Sequence, residues 1–199
     1  MRVILASKSP RRREILEMLG VQFEIISADA DESSDISDPT ALVTELALRK
    51  GRAVRELLMA KGCWDDDTLI IASDTVVATD NAILGKPRDH ADATRMLHLL
   101  EGSMHHVVSG IALLYGTREA SDFDKTAVHF APMSDAEIDW YVKIGEPLDK
   151  AGAYAVQGLA SLFIKGLEGD YFNVVGLPVH RLNLLTKQFI GKSLNELTF

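Results

Sequence analysis

The sequence predicts an α/β domain built on a mixed sheet, and three observations carry that expectation. A short apolar run at residues 3–6 passes almost directly into Ser9-Pro10, a helix-start signal, as in a strand followed by a helix. Residues 69–72, Leu-Ile-Ile-Ala, hold no polar side chain to turn towards water, as expected of a strand covered on both faces. Hairpin signals are interleaved with the helical segments, so antiparallel pairs join an otherwise parallel sheet. At about 150 residues per domain, the 199 residues predict one domain over residues 1–199, with room for a full core. The 47% hydrophobic and 25% charged residues argue against disordered, collagen-like and coiled-coil classes.

The elements follow in order. Ser9 caps and Pro10 opens a first helix with Ile15, Leu16 and Leu19 at helical spacing, and Gly20 ends it. Residues 23–27 read as a second strand. After an acidic loop at 29–38, Asp38-Pro39 repeats the start signal for a longer helix, whose apolar face is expected at Leu42, Leu46, Ala53, Leu57 and Leu58. The strand at 69–72 comes next, and then a hairpin joining 75–78 to 82–84 across Thr79-Asp80-Asn81. An amphipathic helix over 89–100 stops at Gly102, and residues 106–115 and 125–130 read as an antiparallel pair. Ser134-Asp135-Ala136-Glu137 matches a capping box, with Gly145 closing the helix it opens. The last third is expected to hold two short strands, near 153–156 and 162–165, and a final helix near 178–190.

Charge and composition bound the function. Twenty-one Lys and Arg against 29 Asp and Glu leave a net charge of −8, which repels a phosphate backbone and argues against a nucleic-acid polymer as partner. A small anionic ligand needs only a local cluster of cations. The single cysteine, Cys63, cannot close an internal disulfide, and a thiolate zinc site lacks ligands. No segment approaches the roughly 20 apolar residues that span a bilayer, and the apolar start is too short for a signal-peptide core. A cytoplasmic protein with no membrane partner is the expectation.

The cations cluster in Ser7-Lys8-Ser9-Pro10-Arg11-Arg12-Arg13, at the turn from the first strand into the first helix. A helix N-terminus carries unpaired N–H groups and partial positive charge, so three arginines there call for an anion to offset them. The guanidinium groups of Arg11 and Arg12 suit phosphate oxygens, and Ser7 and Ser9 add hydroxyl donors. The plainer alternative is a capped helix with solvated arginines. Asp74, in Ser73-Asp74-Thr75 after the apolar strand, is expected at a strand's carboxyl end, where α/β proteins place ligands. A carboxylate there must be paired, hydrated or metal-bound; it is a metal ligand, a general base, both, or a turn cap. Glu32 in the acidic loop is a second carboxylate for the same cation or, as in most acidic loops, simply solvated. Lys86, in Gly85-Lys86-Pro87, is aimed by a stiff turn, while Lys50 stands on the long helix between Arg49 and Arg52, where a solvated helical face is the default reading. Gln157, placed at the end of a short strand before Gly158, has an amide suited to a base edge, or is simply exposed. His105 and His106 are neighbours on a strand and face opposite ways, which opposes a shared metal.

Together, Ser7-x-Ser9-Pro10-Arg11-Arg12, Ser73-Asp74-Thr75, Gly85-Lys86-Pro87 and Asp149-Lys150-Ala151-Gly152 leading to Gln157-Gly158 resemble the Maf family of nucleoside triphosphate pyrophosphatases. The resemblance runs from Val3 to about Leu185. It implies an elongated, twisted mixed sheet with flanking helices and two lobes around a central cleft, similar to inosine triphosphate pyrophosphatase. It also implies hydrolysis of a nucleoside triphosphate to the monophosphate and pyrophosphate, with a divalent cation such as Mg²⁺ or Mn²⁺, commonly by a homodimer. By the same resemblance Asp74, already a candidate metal ligand, matches the catalytic carboxylate, and Glu32, Lys50 and Lys86 match metal- and phosphate-binding positions. Arg11, Thr75 and Gln157 match the specificity positions of the branch acting on dTTP and UTP; the 7-methyl-GTP branch carries Trp, Gln and Glu there. Ser109, where Thr is common, and the acidic residues 65–67 depart from the pattern outside its motifs. A nucleotide-binding regulator of cell division and a 7-methyl-GTP pyrophosphatase are the alternatives.

Overall fold

The computed structural model describes residues 1–197. The chain begins β1 (Arg2–Leu5), α1 (Pro10–Met18), β2 (Glu24–Ile25), α2 (Pro39–Ala60), β3 (Thr68–Ala78), β4 (Ile83–Leu84) and α3 (His90–Leu100). It continues through β5 (Met104–Tyr115), β6 (Arg118–Phe130), α4 (Asp135–Ile144), β7 (Ile164–Glu168), α5 (Tyr171–Val175) and α6 (Val179–Ile190). Among the described residues these strands make one seven-stranded mixed sheet, ordered β2-β1-β3-β5-β6-β7, with β4 paired to β3. The fold is α/β with flanking helices, as the alternation of strands and helices predicts.

β1 runs parallel to both neighbours, with Leu5 opposite Ile25 on one side and Ile71 on the other. Leu69, Ile70, Ile71 and Ala72 are completely buried, as their unbroken apolar run requires. β3 outruns β1 and continues to Ala78, where Val77 and Ala78 pair antiparallel with Leu84 and Ile83. The predicted strand at 69–72 and the hairpin arm at 75–78 are therefore one strand, because Ser73, Asp74 and Thr75 remain extended between them. β2 shrinks to two exposed residues at the sheet's edge. β6 begins at Arg118, well before the predicted residue 125, since the turn after β5 takes only Gly116 and Thr117. No strand forms at 153–156: Gly152 and Ala153 take left-handed backbone angles, φ 68° and 61°, which break an extended run. The second predicted strand shifts to β7.

Two compact units can be distinguished. The first comprises Met1–Asp74, Ser109–Asp124 and the chain from Gly176 onward; the second comprises Thr75–Val108 and Lys125–Val175. In the first, Ala47, Val54 and Leu58 of α2 pack on Ile4, Ile70, Ala72, Ala112 and Leu114 of the sheet. The apolar face of α2 is Val43, Leu46, Ala47, Gly51, Val54 and Leu58, whereas Leu42, Ala53 and Leu57 are only half-buried. Small residues decide this. A Cβ on Gly110 of β5 would lie 2.3 Å from the Val43 carbonyl, and one on Gly51 2.4 Å from Leu114, so bare glycines let helix and sheet approach closely. In the second unit, α3 and α4 cover Val107, Val128 and Phe130 with Met96, Leu97, Leu100, Ile138 and Tyr141. The capping box at Ser134 and Glu137 is formed, and Gly145 ends α4 at φ 84°. No helix among the described residues is long and apolar enough to cross a membrane.

Candidate active site

The loop between β1 and α1 folds around a hydroxyl. Ser9 takes the N-cap position of α1, yet its side chain does not cap the helix. Instead Ser7 Oγ accepts hydrogen bonds from the Ser9 amide at 3.1 Å and from Arg12 Nη1 at 3.3 Å. Arg12 Nε donates to the Gly176 carbonyl at 2.8 Å, and Ser73 Oγ donates to the same oxygen at 3.0 Å. Arg12 is buried, which pushes its guanidinium pKa down, while the nearby charges of Asp74 and Glu32 oppose that fall and Arg11 adds to it. The three arginines thus have different fates. Arg13 is the solvated one, paired at 2.7 Å with Glu17 a turn later; Arg11 is half-buried, and Arg12 is built into the site.

Asp74 stands in the middle of β3, three residues past Ile71, the last that pairs with β1. This corrects its expected place at a strand's carboxyl end; the strand continues because the β4 hairpin extends it. Lys50 reaches from α2 to place its ammonium 2.5 Å from Asp74 Oδ1 and 3.0 Å from Glu32 Oε1. One cation is therefore shared by a carboxylate that is largely buried and one that is 63% exposed. Lys50 is no solvated helical charge: the close packing of α2 carries it inward.

Sequence reasoning missed Arg49. Its Nη1 donates to the carbonyls of Asp31 at 3.3 Å and Ser33 at 2.7 Å, one on each side of Glu32, and its Nε donates to Glu45 at 2.8 Å. Asp31 Oδ1 accepts from the amide and hydroxyl of Ser33, tightening the same loop. The i,i+4 spacing of Glu45 and Arg49 was legible as a helical pair, but nothing in the spacing shows that the second edge of the guanidinium holds the Glu32 loop.

A cation fits these donors. No cluster of three or more His, Cys, Asp and Glu able to hold a metal occurs among the described residues. Asp74 and Glu32 already share one positive charge, however, and hard cations such as Mg²⁺ are commonly held by one or two carboxylates, with water and phosphate oxygens completing the shell.

The second unit holds Thr75, Lys86 and Gln157. Thr75 directly follows Asp74 on β3 and is half-buried. Lys86 is exposed, in a loop anchored where the Gly85 carbonyl accepts the Gly152 amide at 3.0 Å. Gln157 is exposed on a turn, since the strand expected before it does not form. Lys150 is engaged locally, with the Asp149 carboxylate and, at 3.0 Å, the Glu146 carbonyl. His105 is buried, its Nε2 2.7 Å from Tyr154 Oη, and burial lowers its pKa to about 4, whereas His106 is half-exposed, so the two face apart as strand alternation requires. In the first unit, then, the predicted Ser7, Arg12, Glu32, Lys50 and Asp74 are linked by direct contacts or charge.

Residues 2–189 match a family model described as Maf-like protein. A dTTP/UTP pyrophosphatase of Symbiobacterium thermophilum is 45% identical over 188 residues, 94% of this chain and 93% of that protein. A protein of the same name from Alkaliphilus oremlandii is 46% identical over 189 residues, 93% of this chain and 94% of that one. Among solved structures, the Staphylococcus aureus Ham1 protein aligns at TM-score 0.47 and 14% identity over 66% of this chain and 72% of its own, a likeness too slight to build on.

Proposed function

The chain belongs to the Maf-like family, and on that premise we propose that it is a nucleoside triphosphate pyrophosphatase, hydrolysing dTTP and UTP to the monophosphate and pyrophosphate. The observation that carries the chemistry is the buried Asp74 carboxylate, held by Lys50 and sharing that cation with Glu32. Relatives named dTTP/UTP pyrophosphatase, at 45% and 46% identity over nearly the whole chain, support the choice of substrate.

Water attacks the α-phosphorus; the new P–O bond forms as the bond to the bridging oxygen breaks, and pyrophosphate leaves with that oxygen. The attacking water must be placed and deprotonated, and Asp74 is the group for that task. The remaining difficulty is the charge of the triphosphate, so catalysis is chiefly positioning and neutralisation. Arg12, Lys50 and Lys86, with the N-terminus of α1 and the hydroxyls of Ser7 and Ser9, meet the phosphate oxygens. Asp74 and Glu32 would hold a divalent cation, Mg²⁺ or Mn²⁺, which when bound would supply further neutralisation of the phosphates. Gln157 pairs with the uracil or thymine edge, and Arg11 and Thr75 exclude purines. The protein is taken to act as a homodimer in the cytoplasm.

A panel of canonical and modified nucleoside triphosphates, scored by pyrophosphate release with and without a chelator, tests this reading. dTTP and UTP should be the fastest substrates, and chelation should abolish turnover. Tight nucleotide binding without pyrophosphate release would overturn it in favour of a nucleotide sensor, and a preference for 7-methyl-GTP would overturn the branch.

A further inference from the structure

Around Gln157 the backbone is held from both sides. The turn of residues 155–158 is closed by the Gly158 amide donating to the Ala155 carbonyl at 3.1 Å. Before the turn, the Ala155 amide donates to Tyr141 Oη at 3.3 Å; after it, the Leu159 amide donates to Glu146 Oε2 at 3.1 Å. Tyr141 Oη in turn donates to Glu146 Oε1 at 2.7 Å, which completes a ring of contacts with Gln157 at its open side. Tyr141 is completely buried. A Cβ on Gly158 would lie 2.2 Å from Glu146 Oε1 and 2.5 Å from Oε2, so the carboxylate can close on the turn only because residue 158 has no side chain.

Tyr141 lies on α4, a helix fixed by a capping box at one end and a left-handed glycine at the other, and Glu146 follows that glycine directly. An amide selects a base edge only when its position is set before the base arrives, since a mobile group spends part of each contact on being ordered. Gln157 itself is exposed and cannot be held by packing. The ring supplies the order that packing does not.

We infer that Tyr141 and Glu146 are positioning residues for base selection: they fix the turn that presents Gln157, and through it set the preference for pyrimidine nucleotides. The inference rests on the reading of Gln157 as the residue that meets the base. Tyr141→Phe removes one hydroxyl and two bonds of the ring without changing its shape. Glu146→Leu keeps much of the volume and removes both acceptor oxygens, so neither the Tyr141 hydroxyl nor the Leu159 amide keeps its partner. Each should lower kcat/KM for dTTP and UTP relative to a purine triphosphate by about tenfold, chiefly through KM, with turnover of the purine nucleotide unchanged. Backbone amide exchange at Ala155 and Leu159 should quicken in both variants. In a Gln157→Ala background, Tyr141→Phe should not lower the ratio further, because the two act through one group.

An equal loss on every nucleotide, unchanged amide exchange, or a further loss of selectivity beyond Gln157→Ala would overturn the inference. If Tyr141→Phe does not fold, Glu146→Leu, at a half-buried position, decides the matter alone. A wild-type protein that releases no pyrophosphate fails the functional reading and this inference with it. A wild-type protein whose pyrimidine preference depends on Gln157 but not on Tyr141 or Glu146 fails this inference only.

Discussion

The residues proposed for chemistry are held differently in the two units. In the first, opposite charges and hydrogen bonds to a charged group hold the residues: Lys50 lies between Asp74 and Glu32, and buried Arg12 is tied to Ser7 and to the Gly176 carbonyl. In the second, exposed Gln157 rides on a turn whose flanking amides reach one phenol and one carboxylate. The difference separates two kinds of failure. On the proposed function, damage to the charge cluster should change the rate for every substrate that carries a triphosphate. Damage to the hydrogen-bonded turn should instead change which base is accepted.

The largest effect that would break this comparison is expected at Asp74. Asp74→Asn keeps the shape and removes the base, so pyrophosphate release should fall by about 10² to 10⁴ on pyrimidine and purine nucleotides alike. Unaltered thermal unfolding would show that the fold survives, and an undiminished rate would remove Asp74 from the mechanism.

Next in size is an acid response seated in the second unit. Unfolded, the His105 imidazole titrates near 6.5; folded, burial holds it at about 4. Between those values the unfolded chain binds a proton that the folded chain does not. Stability therefore falls as pH drops from 6.5 towards 4, by about 3 kcal/mol in total at about 1.4 kcal/mol per pH unit, and this contribution is flat below. The carboxylates lowered by their partners, such as Asp92 beside Arg95, lose stability only as pH falls further, from their unfolded values downward. Urea unfolding of the wild type and of His105→Gln between pH 7 and 4 separates the two, and an equal slope in both proteins down to pH 4.5 would exclude His105 as the cause.

The smallest effect sharpens the comparison within the first unit. Arg49→Gln frees the loop that carries Glu32 without touching Asp74, so half-maximal activity should need about tenfold more Mg²⁺ while the rate at saturating metal stays the same. A lowered maximal rate with an unchanged metal requirement would show that Arg49 does not act through Glu32.

Much of the fold was legible because its signals are local. Ser9-Pro10, Asp38-Pro39 and the capping box at Ser134 each start a helix where the spacing says one starts, and the apolar run at 69–72 lies wholly inside the sheet. The errors arose where partners distant in sequence decide the outcome. The inward face of α2 is set by Gly110 and Gly51, whose message is the absence of a side chain. The segment at 153–156 has strand-like composition, but Gly152 and Ala153 hold left-handed angles that no single-residue propensity announces. In the site, Asp74 could be named from Ser73-Asp74-Thr75, whereas Lys50 and Glu32 lie outside the four motifs and are reached only through the family resemblance. Arg49, Tyr141 and Glu146 could not be named, because they act through backbone carbonyls and amides, which every residue possesses.

β3 has one further consequence. Its pairing is fixed ahead of Asp74 by Ile71 against Leu5, and beyond Thr75 by Val77 against Leu84. The proposed catalytic carboxylate and a proposed selectivity residue are consecutive links between those two anchors. An inserted or deleted residue there has no loop to absorb it and would shift both functions together. Between Ile71 and Val77 the spacing of the chain therefore matters as much as the identity of the residues that it carries.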